Sequence, residues 1–466
     1  MALNPTMAWR MRAGGAETNG GGYDPSIGGG TDYTDQDAPQ LSITDLTSTA
    51  STTVTSAAAG FTAAMVGNVL RLASGAGSTP GYYTIATFVS ATEVTLDRVS
   101  GTYAGDGVAS VGGAFAGFIN FRGSGTATAP ALTSPLAAGH TIYVRGGGTD
   151  DPGSADYTET SGYTTPAGGN TTDGKIAMIG YNGRPRFNTN GLWIYSITNW
   201  YFENLKLVPQ NTTNSGNGGV ISGGASVTYR NMIVDQNGLN CDGLGGTCFV
   251  DCEFRNTGST AAGTLAAING QSFNALIIGC YIDSWKAAGI SIGNICTISH
   301  TIVRNCKLNG INIGAAASNY HANLVNVTVD GCTGDGLKTT AANGVYSLQM
   351  YNCIFSNNSG YGVNHSVGTV ALNDRMERLI CDFNNFYLNA SGARNGISAG
   401  VNDMALDPQY VSTAGENFAI GPNLKAKGFP VAAIKGSSTT AYIDVGGVQR
   451  PEPVKVHPGM GGGMRG

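Results

Sequence analysis

The sequence predicts an all-β protein: a solenoid of stacked parallel strands with a small antiparallel β domain near its N-terminal end. The first observation is a strand phrase that recurs between about residues 200 and 390, a polar or small residue followed by alternating apolar ones. It reads Asn204-Leu205-Lys206-Leu207, Asn231-Met232-Ile233-Val234, Asp251-Cys252-Glu253-Phe254, Gly279-Cys280-Tyr281-Ile282, Asn305-Cys306-Lys307-Leu308, Asn326-Val327-Thr328-Val329 and Asn352-Cys353-Ile354-Phe355. The starts lie 27, 20, 28, 26, 21 and 26 residues apart. A period of that size means one supersecondary unit stacked on itself, because no single unit so small buries its own apolar face. The second observation is another phrase at a nearly fixed offset: Gly289-Ile290-Ser291-Ile292, Gly310-Ile311-Asn312-Ile313, Gly336-Leu337-Lys338-Thr339 and Gly362-Val363-Asn364-His365. The third is that no helical stripe of ten or more residues separates the strands, which argues against βαβ units and leucine-rich repeats.

Taken in chain order, residues 1–39 form a Gly/Asp-rich leader headed by Trp9, Arg10 and Arg12, suited to covering an open solenoid end. Residues 40–100 read as a small antiparallel β domain, with alternating runs at 41–46, 52–55, 69–72, 82–89 and 93–96 divided by turn clusters. Residues 101–139 are a Gly/Ala/Thr-rich connector whose patch at Ala114-Phe115-Ala116-Gly117-Phe118-Ile119 fits either linker or short helix. The solenoid opens at His140-Thr141-Ile142-Tyr143-Val144-Arg145 and runs, with a closing segment, to residue 448. Residues 449–466 are an extended Gly/Pro-rich tail, because Pro451, Pro453 and Pro458 exclude regular strand pairing. Alternation places Cys280 with Ile282, and Cys306 with Leu308, on the inward face, leaving Tyr281 and Lys307 outward.

Composition narrows the function classes. Charged residues make up 12% of the chain while Gly supplies 71 of 466 positions, a balance that suits thin strands and many turns. The 41% hydrophobic content at period two supplies a core that a disordered low-complexity chain lacks. A formal net charge of −5 without a Lys/Arg run argues against nucleic acid as partner. No run approaches 18 apolar residues, and Met1-Ala2-Leu3-Asn4-Pro5-Thr6 lacks a basic and then apolar leader, so synthesis in the cytoplasm and no membrane span are expected. Of the nine cysteines, Cys252, Cys280, Cys306 and Cys353 recur within the strand phrase and are expected to stack as small apolar side chains. Cys241, Cys248, Cys296, Cys332 and Cys381 form no CxxC pair, so no zinc site is implied.

The repeated strands resemble the right-handed parallel β-helix family, the fold of pectate lyases and phage tailspikes. The leader, with Asn19-Gly20-Gly21-Gly22-Tyr23-Asp24-Pro25 and Gly30-Thr31-Asp32-Tyr33, resembles that of β-helix proteins encoded by tailed phages. The stretch Asp407-Pro408-Gln409-Tyr410-Val411, Glu416-Asn417-Phe418-Ala419-Ile420, Gly421-Pro422-Asn423-Leu424 and Tyr442-Ile443-Asp444-Val445-Gly446 resembles the family's closing segment, although Lys425-Ala426-Lys427 stands where a shorter acidic turn is usual. The resemblance implies a right-handed coil, a homotrimer and a place in a virion. Arg450, Lys455 and Arg465 against Glu452 make the tail basic, which fits either docking of residues 450–466 on other virion proteins or a disordered tail.

Catalytic constellations are sparse. The lyase patterns "trp-ile-asp-his" and "arg-x-pro-x-x-arg" are absent, with only Arg184-Pro185-Arg186 in partial likeness, and Asn188-Thr189-Asn190 lacks the acid of the polygalacturonase pattern. The position after each strand phrase holds Asp235, Arg255, Asp283, Asn309, Asp330 and Ser356. On this reading Asp283 and Asp330 lie two coils apart, roughly 9–10 Å, near the upper limit for an inverting carboxylate pair; the competing reading is Asx residues making turns. Asp32, Asp35 and Asp37 offer calcium oxygens without an EF-hand frame, or form a solvated acidic loop. Trp193, Trp200, Tyr201, Trp285 and Tyr320 fit either a sugar-binding groove or core and interface packing. The histidines at 140, 300, 321, 365 and 457 flank no nucleophile motif. No residue is assigned a catalytic, cofactor-binding or metal-binding role. The expectation is therefore a non-catalytic virion structural protein of a tailed phage, a surface spike or capsid decoration. The alternatives are a tailspike depolymerase cleaving host polysaccharide and a non-catalytic carbohydrate-binding adhesin.

Overall fold

The computed structural model describes residues 6–27, 31–118, 121, 135–150, 156–159, 168–170, 172–189, 193–210, 220–224, 226–237, 239, 243–258, 265–270, 274–293, 295–314, 320–341, 344–367, 375–413, 416–425, 427–429 and 444–448. Among them the chain winds through three long sheets in fixed order. The coil that begins at Trp200–Glu203 passes to Lys206–Pro209, then to Ile221–Gly223, and returns beside its start at Thr228–Arg230. Repetition builds sheet 1 of 12 strands, sheet 2 of 10 and sheet 3 of 9, parallel throughout except for a two-residue antiparallel strand at one end of sheet 1. The chain is a parallel β-helix.

The corner from sheet 1 to sheet 2 explains the recurring phrase. One residue turns the chain, and it sits in the left-handed region: Asn204, Asn231, Asp251, Gly279, His300, Asn326, Asn352 and Phe383 have φ from 48° to 65°. Asn leads this column because that region places Cβ against the following carbonyl, a cost of about 1–2 kcal/mol that Asn offsets locally and that Gly279 escapes. A second left-handed corner follows each later sheet 2 strand, at Ser284, Asn305, Gly331, Asn357 and Leu388. The two corners look alike in sequence, which corrects one repeat. Asn305-Cys306-Lys307-Leu308 belongs to the second corner, and the sheet 2 strand of that coil is Ile302–Arg304, after His300. Leu308 is therefore 41% exposed, not inward, while Val303 fills the core.

The thiols split accordingly. Cys252, Cys280 and Cys353 share the position after the first corner with Leu205, Met232, Thr301 and Val327; Cys306 and Cys332 share the position after the second with Asn358 and Asn389. Asn ladders take over where the thiols end: the Asn384 side chain accepts from the Cys353 amide, and Asn358 accepts from the Cys332 amide, both at 3.0 Å. Inside sheet 1, Phe202, Tyr229 and Phe249 stack face to face at 5.4 and 5.3 Å. Glycines open the entry to sheet 3, where a Cβ on Gly310 would lie 2.3 Å from Val329.

The leader completes the stack. Ala8–Met11 pairs in parallel with Thr141–Arg145 as the first rung of sheet 1, and Trp9 stacks on Phe115 at 5.8 Å as the floor of the core. The small domain is a closed six-stranded barrel with its own core, including Leu46, Leu70, Ile85 and Val111. Its last strand is Thr102–Val111, in a stretch read from sequence as connector. The apolar patch beyond continues into the solenoid floor, with Phe115, Phe118 and Phe121 buried. The tail from 449 lies outside the described residues. Among the described residues no helix is long and apolar enough to cross a membrane.

Two outcomes check this frame. Gly279, at φ 65°, should accept Asn with an unchanged urea midpoint, whereas Gly279→Val should lose about 1–2 kcal/mol. Leu308→Asp should express and melt like the parent, whereas Val303→Asp should yield no soluble protein, since a buried carboxylate has no partner there.

Candidate functional site

The acidic column of sheet 2 is the first candidate to place. Parallel register aligns Asp283 with Arg304, Arg304 with Asp330, and Asp330 with Ser356. The residue between the two carboxylates is thus Arg304, not Asn309. Its guanidinium pairs with Asp283 at 3.2 Å, with the two side chains only 12% and 17% exposed. Asp283 also accepts from Ser284 at 2.9 Å and Asn305 at 3.2 Å, and Asp330 accepts from Ser356 at 2.7 Å and Asn357 at 2.8 Å. Both carboxylates are spent on structure, and the cation between them removes the room an inverting pair keeps for water.

The chain beyond the last coil folds back over this column. Leu406 exchanges backbone bonds with the Asn385 amide at 2.8 and 2.9 Å, and Phe429 does the same with Asn352 at 2.6 and 3.0 Å. Between them Tyr410 meets Ser356 at 2.9 Å, Thr413 accepts from Arg304, and the Phe418 ring lies 5.1 Å from that guanidinium. Ile420, Leu424 and Val445 bury outward-facing Ile354. The segment expected to close the helix therefore acts as a strap on the outside of sheet 2. Its expected "asn-phe" strand is a single bridge between Ser412 and Asn417.

The other candidates are structural. Trp193, Trp200 and Trp285 are buried core residues; Tyr201 points outward and bonds Glu203 at 2.7 Å, and the Tyr320 side chain lies outside the described residues. Asp32, Asp35 and Asp37 are neither free nor clustered for calcium, because Arg10 pairs with Asp32 at 3.0 Å and Arg12 with Asp35 and Asp37 at 3.0 and 2.7 Å. Burial pushes Asp35 up, but hydrogen bonds from Tyr181 and Arg12 and the nearby arginine charges hold it below its ordinary value; burial and that same bond push Tyr181 up to about 12. Arg184 bonds the corner residue Asn231 at 2.8 Å. His140 accepts from Trp9 at 3.1 Å, and His365 bonds Thr339 inside the coil at 2.6 Å. Among the described residues no three potential ligands gather as a metal site.

The polar surface that sequence reading passed over lies outside sheet 3. Register aligns Asn269, Ser291, Asn312, Lys338, Asn364 and Asn395 on its outward face, of which Ser291 is itself buried. Three of them, Asn312, Asn364 and Asn395, belong to a connected chain. Asn309 donates to Asn312 at 2.8 Å and accepts from the Asp335 amide at 2.8 Å. Asp335 accepts from the Tyr361 amide at 2.8 Å and from Asn364 at 2.9 Å, and Asn395 donates to Asn364 at 3.0 Å. Lys338 is half-buried in the middle and has no hydrogen-bond or ion-pair partner among the described residues. The signal was present in sequence, since the middle position of the second phrase reads Ser291, Asn312, Lys338 and Asn364.

Arg304→Met should leave two carboxylates facing each other beneath the strap, lowering stability by about 1–3 kcal/mol and speeding proteolysis within 404–424. Thiol labelling should discriminate sharply. Burial pushes the Cys296 and Cys353 thiols up to about 12, whereas Cys248 is the one described cysteine that is not fully buried. In a Cys241→Ser background, native protein at pH 8 should therefore label at Cys248 alone, and mass spectrometry of the digest reads the site.

No family model matches this sequence, and no curated protein matches it. Among solved structures the chain is similar to the crystal structure of pectate lyase Pel9A, with 14% identity, 70% of this chain and 94% of that one covered, and a TM-score of 0.40. It is also similar to the Azotobacter vinelandii mannuronan C-5 epimerase AlgE6 A-module, with 12% identity, 57% and 89% covered, and a TM-score of 0.20. The fold assignment rests on the strand order and registers, and residue roles rest on the contacts above.

Proposed function

We propose that this protein is a non-catalytic, carbohydrate-binding β-helix scaffold whose binding face is the outside of sheet 3. The observation that carries the reading is the hydrogen-bonded chain from Asn312 through Asn309, Asp335 and Asn364 to Asn395. Sugar hydroxyls both donate and accept, and side-chain amides answer both roles. Rungs repeat at about 4.8 Å, and the internal bonds fix the amides in advance, which lowers the ordering cost of binding an extended chain. Against the depolymerase alternative stand the Asp283–Arg304 ion pair, which puts Arg304 between the two carboxylates of the column, and the strap over it.

Display on a tailed-phage particle, as a spike or capsid decoration, is the setting we propose for the scaffold, on the strength of the leader and the closing segment. A homotrimer and attachment through residues 450–466 belong to that same proposal, and a mass-spectrometric inventory of purified particles tests the setting.

The binding reading is tested with purified full-length protein and host surface polysaccharide. Co-sedimentation should show binding with no release of reducing or unsaturated ends. Asn312→Ala should weaken binding by about 0.5–1.5 kcal/mol with unchanged melting, whereas Asn364→Ala should weaken binding and also lower the melting temperature, because buried Asp335 loses a donor. Sugar release that disappears in Asp283→Asn or Asp330→Asn would establish the enzyme instead.

A further inference from the structure

Resting on that binding reading, we propose that Lys338 makes the sheet 3 face selective for polysaccharides that carry anionic groups. The amides around Lys338 already have partners: Asn312 is held by Asn309, and Asn364 by Asp335 and Asn395. The nearest carboxylate in the ladder, Asp335, does not quench the lysine. Its two oxygens are taken by the Tyr361 amide and the Asn364 side chain, and no ion pair joins it to Lys338. The outcome is one half-buried ammonium, flanked above and below by neutral amides in register, on a chain of net charge −5.

Several arginines of the described surface face carboxylates, whereas Lys307, like Lys338, is half-buried without a partner among the described residues. Arg10, Arg12, Arg98, Arg304 and Arg394 each face a carboxylate within 3.2 Å. Among the described residues none takes a donor of Lys338, whose ammonium carries three. A carboxylate or sulfate of a bound sugar lying along the coil axis supplies the missing partner, and a charge-assisted bond of this kind is roughly twice as strong as the neutral contacts beside it. The site needs no metal for this recognition, since the cation is part of the chain. Lys338 is a specificity residue here, not a catalytic one.

The test compares the full chain with polygalacturonate, dextran sulfate and neutral dextran at low and high salt. The expected result is tighter binding to one or both anionic polymers than to dextran, by about tenfold or more, with the preference shrinking as salt rises. Which anionic polymer wins tells carboxylate from sulfate recognition. Lys338→Met should abolish the preference while leaving the melting temperature unchanged, Lys338→Arg should keep it, and Lys307→Met should have no effect. Equal affinity for dextran and the anionic polymers would overturn the selectivity while leaving the binding face intact. An anionic preference that survives in Lys338→Met would place it on another surface. Absence of binding to all three polymers and to host polysaccharide would overturn both the selectivity and the binding face.

Discussion

The structure depends on a one-residue left-handed turn repeated at the corner between sheets 1 and 2. Each coil passes that corner at the same height, so the strands before and after it are fixed in phase with those of the neighbouring coil. Once phase is fixed, inward positions form continuous columns, and burial follows with little demand on residue identity. Phe202, Tyr229 and Phe249 stack in one column while Ile277, Ile298 and Leu324 continue it. The column after the corner tolerates Leu, Met, Cys, Thr, Val and Asn, because the requirement is a side chain that fits, or an amide that bonds, between two coils.

The same phase makes the outside of the helix a ruled surface, and its faces have different fates. Sheet 2 carries the alternating charges Asp283, Arg304 and Asp330, and the returning chain seals them beneath Tyr410, Thr413 and Phe418. Charges placed there are tolerable because Asp283 pairs with Arg304 and Asp330 accepts from Ser356 and Asn357. The outward face of sheet 3 carries amides in register with Lys338, which has no partner among the described residues. A face of bonded amides holds its geometry without being buried, which suits a surface that must meet a soluble ligand in a fixed arrangement.

The fold was legible in the sequence because period-two alternation and left-handed Asn or Gly positions are local signals. Register was legible only in part. Asn305-Cys306 copies the pattern of the first corner while standing at the second, and nothing local distinguishes them, since both take a left-handed residue followed by a buried one. That ambiguity put Leu308 on the wrong face and Asn309 in the acidic column in place of Arg304. The role of residues 404–424 was hidden for another reason. A strap is defined by what it lies on, and the Asn352 and Asn385 amides that hold it are far from it in sequence. The site residues were missed because attention to carboxylates and aromatics passes over amides, whose importance lies in their alignment across coils and not in their individual chemistry.

Hydroxyl-radical footprinting of the full chain with and without a bound polysaccharide tests the central claim most directly, that the outside of sheet 3 is the working face. The account predicts that binding shields Tyr361 and Lys338 while Tyr281 and Leu308, on and beside sheet 2, keep their reactivity. Shielding at Tyr281 and Tyr410 with unchanged reactivity at Tyr361 and Lys338 would contradict it and return the function to the acidic column.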